Sequence, residues 1–402
     1  MSSADARRAA AWPSGRDQRL DMFWGLALVA IFIDHAPGTV YENWTSRNFG
    51  FSDAAEAFVL MSGIAAGLAY SPQFRVAPFW PGVARIWARA RTLYLVHITT
   101  TVMALAIFAA AALWFGITAP LSTNNIGPLF TQPLATIIGL PLLTHQLGYF
   151  NILPLYLILL LVTPALLLVG RKHPWPVIFG SILVWALSGQ FHLNLPNYPL
   201  PGGWFFNPLA WQLIFTLGLV SAILWRDGLP RPAPWLVVLS AATVAGAALI
   251  VTEGVGLAPG LRDAATAHLD VAKQDLGLAR LIHFIALAYL IGAATTLGRR
   301  FVAPLIRGAF GEAVQSLGRN SLSVFAAGCL LSAGGQAALA AASPHASMGI
   351  EQFAGLAYTI GSIAALFAVA HWIECRSIPA RVAGSTAPPS RAWRALRSSS
   401  PS

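Results

Sequence analysis

Charge is what this chain lacks. Asp, Glu, Lys and Arg together make up only 10% of its 402 residues, where soluble domains carry about 25%. Cysteine is nearly absent as well. Cys329 and Cys375 both lie in apolar runs, which argues against a disulfide framework or a cysteine-rich metal site. The sequence also has no zinc motif, phosphate-binding loop or glycine-rich nucleotide fingerprint, so no metal ligands are expected and no cofactor is expected to be permanently bound.

What fills the chain instead is apolar. Hydrophobic residues make up 56%, and the mean hydropathy is +0.64. Windows of about 19 residues predict ten membrane spans: 22–41, 52–71, 92–116, 148–170, 174–190, 206–226, 233–251, 277–298, 321–341 and 353–375. Each matches a hydrocarbon core of about 30 Å, the fifth only just. The expected fold is therefore all-α, a polytopic membrane helix bundle. The domain organisation is a cytoplasmic segment over 1–20, a membrane domain over 21–376 and a Pro-, Ser- and Arg-rich tail over 377–402 that reads as disordered.

The net charge of +10 raises nucleic acid as a partner, but its placement argues against that. Of 25 Lys and Arg residues, all but Arg47, Arg262, Lys273 and Arg280 fall on one side of the expected spans. This asymmetry is an orientation signal and predicts both termini in the cytoplasm. The first span follows a polar stretch and ends in Asp34, His35, Ala36, Pro37 and Gly38, unlike a cleaved signal peptide. The segment 132–144 is apolar but too short to span, and is expected to be re-entrant or interfacial.

Against this background a few polar groups stand out. An ionisable side chain costs about 2.5–3.5 kcal/mol at a membrane helix centre, so its default reading is functional. Asp34 and His35 close the first span. His35 lies 14 residues beyond Asp21, about 21 Å deeper, in the outer half of the membrane. Arg47, Asn48, Asp53 and Glu56 open the second span at the same level, and Asp53 and Glu56 share a helix face. The short connection makes the two helices antiparallel neighbours, so these groups are expected to converge. Gly63 and Gly67 predict close approach of another helix to the second span.

Histidine titrates near neutrality and suits proton transfer. His35 is therefore a candidate general base, with Asp34, Asp53 or Glu56 expected to orient its ring; the competing reading is an interfacial histidine paired for packing. Lys273 and Arg280 share a face at the outer start of the eighth span. Asn151 and Tyr156 enter the fourth span from outside, and Trp204, Asn207, Trp211 and Gln212 enter the sixth. These read either as an aromatic belt or as a sugar-binding mouth. Arg85 and Arg89, with Trp80 and Trp87 nearby, read as an interfacial stretch or as contacts for a polyanion such as a CoA phosphate.

Several runs together resemble one family. They are 19–28 (Arg-Leu-Asp-Met-Phe-Trp-Gly-Leu-Ala-Leu), 33–35 (Ile-Asp-His), 47–56 (Arg-Asn-Phe-Gly-Phe-Ser-Asp-Ala-Ala-Glu), 148–156, 204–212, 273–280 and 318–325. In order and content they are similar to the OpgC family, over about 17–375. The resemblance implies a multispan inner-membrane acyltransferase that moves a succinyl group from cytosolic succinyl-CoA to osmoregulated periplasmic glucans. It implies His35 as the catalytic residue. Arg47, Lys273 or Arg280 then suit a succinyl carboxylate, and Arg319 and Asn320 join Arg85 and Arg89 as candidates for holding the acyl-CoA donor. Expected partners are that donor, the glucan acceptor and membrane lipid, with self-association left open.

One position departs from the pattern. Family members typically carry Arg where this chain has Trp24, and Arg19 lies five residues away, about 7.5 Å along a helix. This leaves donor identity open. The alternative function is a transporter or flippase, because polar groups on spans also mark permeation paths. Clustering of the polar groups at one depth favours the enzyme.

Overall fold

The computed structural model describes residues 17–36, 40–226, 228–254, 256–342 and 348–385. The N-terminal arginines through Arg16, the Pro37-Gly38 pair and the tail beyond Ser385 lie outside the described residues. Among those described, the chain is helical with no strand.

Helix α1 is Gln18–Asp34, α2 Ala54–Tyr70, α3 Trp80–Phe115, α4 Pro133–Gly139, α5 Ile152–Gly170, α6 Pro174–Gln190 and α7 Pro208–Leu224. They are followed by α8 Pro234–Val251, α9 Leu278–Leu297, α10 Arg299–Arg307, α11 Ala309–Arg319, α12 Ser321–Ala342 and α13 Met348–Ser385. Seven of these, α2, α3, α5, α8, α9, α12 and α13, are long and apolar enough to cross a membrane. Helices α1, α6 and α7, of 17 residues each, coincide with the other three expected spans. The protein is a multi-pass membrane protein with an all-α fold.

Local chemistry sets the helix starts. Proline occupies the first turn of α3, α6, α7 and α8, where its missing N–H has no intrahelical partner to lose. Asp17, Asp53 and Asn207 cap α1, α2 and α7 by accepting backbone N–H groups. Helix α1 stops at Asp34, earlier than the expected 41, and short 3-10 turns at Val40–Trp44 and Ser46–Asn48 lead to α2.

Helices α2, α5 and α7 form the interior, where Leu155, Leu160, Trp211 and Phe215 are fully buried, while α8 is almost wholly on the outside. Lipid supplies no hydrophobic drive for helices to associate, so close backbone packing must do so. The α2–α7 crossing shows it. An added Cβ at Gly63 would fall 2.0 Å from the Phe215 carbonyl oxygen, and one at Gly218 would fall 2.2 Å from that of Leu60. This is the close approach that Gly63 and Gly67 predicted.

The stretch 299–319 is more than the basic loop its arginines suggested. Helix α11 lies antiparallel to the start of α1, with Gly318 against the Asp21 carbonyl and Gly25 against that of Val314. Ile306 of α10 packs with Met22 and Val314. The apolar segment after residue 132 forms α4, with Leu134, Ile137 and Ile138 facing outward and Tyr94 Oη donating to the Pro141 carbonyl at 3.0 Å.

Gly63→Ala should cost about 1–3 kcal/mol through overpacking against backbone, read as a lower thermal unfolding midpoint in detergent. Gly180→Ala on α6 is the control, because an added methyl there meets nothing within 4 Å. Equal midpoints for the two variants would contradict the close crossing.

Candidate functional site

The site begins where α1 ends. His35 is the C-cap of α1, and its Nδ1 lies 2.5 Å from the Ile31 carbonyl oxygen. A carbonyl only accepts, so Nδ1 carries the proton and the neutral ring keeps its lone pair on Nε2. Orientation of the ring therefore comes from the helix's own backbone, where the sequence suggested a neighbouring carboxylate. Asp34 is engaged elsewhere and accepts a hydrogen bond from Thr45 Oγ1. Tyr149 meets the His35 ring edge-on, with centroids 4.3 Å apart, and Ser332 Oγ donates to the His35 carbonyl at 2.6 Å.

Tyr149 holds φ +72°, a left-handed conformation that side chains other than glycine rarely adopt. Such outliers persist only where the surroundings enforce them, and they concentrate at functional sites. Around the Tyr149 backbone, Cys329 Sγ approaches its carbonyl oxygen at 3.9 Å.

Beside His35 stands a buried ionic cluster. Asp53 caps α2, with Oδ1 accepting from the Ala55 amide at 2.8 Å. The Asp53 amide donates to Glu56 Oε2 at 2.8 Å, which completes a capping box. The other carboxylate oxygens take cations from the start of α9 and the loop before it. Lys273 Nζ is 2.5 Å from Asp53 Oδ2, Arg280 lies 3.6 Å from the same oxygen, and Arg280 also donates to Glu56 Oε1. Glu56 is fully buried. Lys273 additionally sits over the rings of Phe205 and Phe206, 5.8 and 5.6 Å from their centroids. Arg47, Asp53 and Lys273 all act electrostatically on both His35 and Asp34, so these groups lie near one another at the same end of the bundle. Arg47 is exposed there, beside the half-buried Asn48.

The loop carrying Lys273 is clamped by residues that read from sequence either as an aromatic belt or as a sugar-binding mouth. Trp211 Nε1 donates to the carbonyls of Lys273 and Gln274 at 3.0 and 3.1 Å. Asn207 Nδ2 donates to the Leu193 carbonyl and to Asp275 Oδ1, each at 2.7 Å. Gln212 donates to the Ser181 carbonyl at 2.8 Å, tying α7 to α6. Tyr156 packs against Phe215 inside the bundle. Asn151 Oδ1 and Trp204 Nε1 are buried with no hydrogen-bond partner among the described residues.

Two groups proposed for donor binding lie elsewhere. Arg319 Nε and Asn320 Nδ2 both donate to Glu374 Oε1, at 2.7 and 3.3 Å, and join α11 to α13. Arg85 and Arg89 act electrostatically on Tyr70, and Arg89 also on Tyr156. His283, which clusters in sequence with Lys273, Asp275 and Arg280, pairs with the buried Ser52, Oγ and Nδ1 lying 2.8 Å apart, whereas Thr45, Tyr149 and Ser332 carry no sequence signal as neighbours of Asp34 and His35. The 148–156 run carries part of the family resemblance, but nothing in its residue types marks Tyr149 as a neighbour of His35.

Taken together, the fold and the site define an all-helical multi-pass membrane protein with a histidine and paired charges at one end of the bundle. The family model described as "OpgC protein" matches residues 16–378, nearly the whole chain. The chain belongs to the OpgC family. No curated protein and no solved structure matches it.

Glu56→Ala would leave the Arg280 guanidinium poorly compensated in a buried position, which costs about 3–5 kcal/mol when one member of a buried pair is removed. A large drop in the thermal unfolding midpoint is expected, partly recovered in the Glu56→Ala/Arg280→Ala double variant. An unchanged midpoint for Glu56→Ala alone would contradict the cluster's role in holding α2 to α9.

Proposed function

We propose that the protein is a membrane O-acyltransferase that moves a succinyl group from succinyl-CoA to a hydroxyl of an osmoregulated periplasmic glucan, with His35 as general base. One observation carries this reading: the Ile31 carbonyl holds the Nδ1 proton of His35, which leaves Nε2 as a proton acceptor. Family membership supports glucan modification as the setting.

The chemistry needs no covalent enzyme intermediate. The acceptor hydroxyl oxygen attacks the thioester carbonyl carbon; the O–C bond forms and the C–S bond breaks. The hydroxyl proton passes to His35 Nε2 and then to the departing thiolate, so the histidine returns to its starting state.

The succinyl carboxylate needs a cation. Trp24 occupies the position where family members typically carry Arg, and its ring stacks on Phe58 at 5.5 Å. The carboxylate therefore falls to Lys273 and Arg47 at the mouth. Exposed aromatic faces at Trp44, Phe49, Tyr149 and Phe205 suit stacking against the sugar rings of a glucan. In this reading ten helices cross the bacterial inner membrane, both termini lie in the cytoplasm, and His35 faces the periplasm.

General-base catalysis contributes roughly 10²–10⁴-fold. A deletion strain complemented with His35→Ala should lose succinate-sized mass additions on its periplasmic glucans, measured by mass spectrometry, by at least about 100-fold. Additions equal to wild type would remove His35 from catalysis. Lys273→Met tests the donor: it should weaken use of succinyl-CoA relative to acetyl-CoA, and an unchanged ratio would remove Lys273 from carboxylate recognition.

A further inference from the structure

Helix α10, Arg299–Arg307, presents three different rows of side chains. Residues four apart share a helix face, and Phe301 and Leu305 form one such row, both exposed. Arg300 and Arg307, seven apart, form the neighbouring row and are exposed as well. The inner row holds Ile306, buried against Met22 of α1 and Val314 of α11. The Arg300 guanidinium lies 4.8 Å from the Phe301 ring centroid, at the border between the apolar and the cationic rows. Neither arginine forms an ion pair among the described residues.

Three spans fix the level of this helix. The span α9 ends at Leu297, itself exposed, two residues before α10. The span α12 begins at Ser321, directly after α11. The third span, within α13, ends at Arg376, and Arg319 at the end of α11 donates to Glu374 there at 2.7 Å. Beside it the Arg376 guanidinium lies 4.0 Å from the ring centroid of the exposed Trp372, and tryptophan is enriched at the membrane–water interface. Helix α10 therefore lies where the spans leave the bilayer. An exposed apolar row favours lipid and a row of guanidiniums does not. The interface is the one environment that satisfies both.

We propose that α10 docks on anionic phospholipid, with Phe301 and Leu305 in the acyl boundary and with headgroup phosphates as the counter-ions of Arg300 and Arg307. Charge complementarity selects the occupant. The two guanidiniums are about 10 Å apart along the helix, without protein carboxylates to match them, at a surface where phosphates are the abundant anions. The contact also reaches the site described above. Helices α10 and α11 grip the start of α1, through Ile306 against Met22 and Gly318 against the Asp21 carbonyl. Lipid that holds α10 thus steadies the helix that ends on His35. The inference does not rest on the acyl-transfer reading.

The test equilibrates full-length protein in mixed micelles of phosphatidylcholine and phosphatidylglycerol and counts the retained lipids by mass spectrometry. An arginine near an anionic membrane surface is worth roughly fivefold in affinity. Enrichment of phosphatidylglycerol should therefore fall about fivefold for each arginine removed in Arg300→Gln/Arg307→Gln. Arg300→Lys/Arg307→Lys should keep most of it, because lysine also serves a phosphate as a point charge. Arg231→Gln/Arg262→Gln removes the same charge from exposed positions outside α10 and should leave the enrichment unchanged. Equal enrichment in wild type and the α10 glutamine variant, or an equal loss in the control pair, would overturn the assignment. A second readout needs no variant. Salt at about 1 M screens charges beyond about 3 Å and should abolish the enrichment in wild type; enrichment independent of salt would also overturn it. If the α10 glutamine variant keeps its enrichment but needs more succinyl-CoA for the same rate, those arginines serve the donor's phosphates and the lipid assignment fails.

Discussion

Two carboxylates at the start of an apolar helix create a demand that one end of the bundle is arranged to meet. Asp53 and Glu56 satisfy orphan amides of the first turn of α2, but their charges cannot remain unmatched beside hydrocarbon. Lys273 and Arg280, distant in sequence, supply the match. To reach Asp53 and Glu56, the loop before α9 folds over the end of the bundle. Trp211 and Asn207 clamp it there through backbone carbonyls and Asp275. Removing one charge exposes the others, because breaking a buried pair costs far more than the pair contributes.

Packing deeper in the bundle obeys a different constraint. Helices in lipid gain nothing from hiding apolar surface from one another, so affinity comes from fit. Glycine faces at the α2–α7 and α1–α11 crossings bring backbone against backbone. These crossings hold α1 and α2 firmly. That matters because His35 stands at the last turn of α1, and its ring is aimed by that helix's own Ile31 carbonyl. A well-held α1 is what fixes the orientation of the His35 ring.

The bundle was largely legible in the sequence, because span-length apolar runs are a strong signal. Each of the ten expected spans falls on a helix. The convergence of His35, Asp53, Glu56, Lys273 and Arg280 was partly legible as well, since charges in apolar segments are rare enough to be noticed singly. Their pairing was not. Capping requires only local sequence, but Asp53 with Lys273 joins residues 220 positions apart. Helices α10 and α11 escaped notice because a 19-residue hydropathy window averages short, arginine-bearing helices into a polar loop. Asn207, Trp211 and Gln212 have the residue types of a sugar site, yet their polar groups are engaged with backbone and neighbouring side chains. The left-handed Tyr149 beside His35 has no sequence signal, as nothing in a tyrosine predicts φ +72°.

Vectorial chemistry is the central claim: a donor reaching His35 from the arginine-rich side and an acceptor meeting it at the charged mouth. The most direct measurement reconstitutes the protein in proteoliposomes of known orientation, with succinyl-CoA and glucan placed on the same or on opposite sides of the bilayer. Succinylated glucan is predicted when the donor is on the side carrying Arg75, Arg171 and Arg226 and the glucan is on the other. Product formed only when both substrates share a side would contradict it.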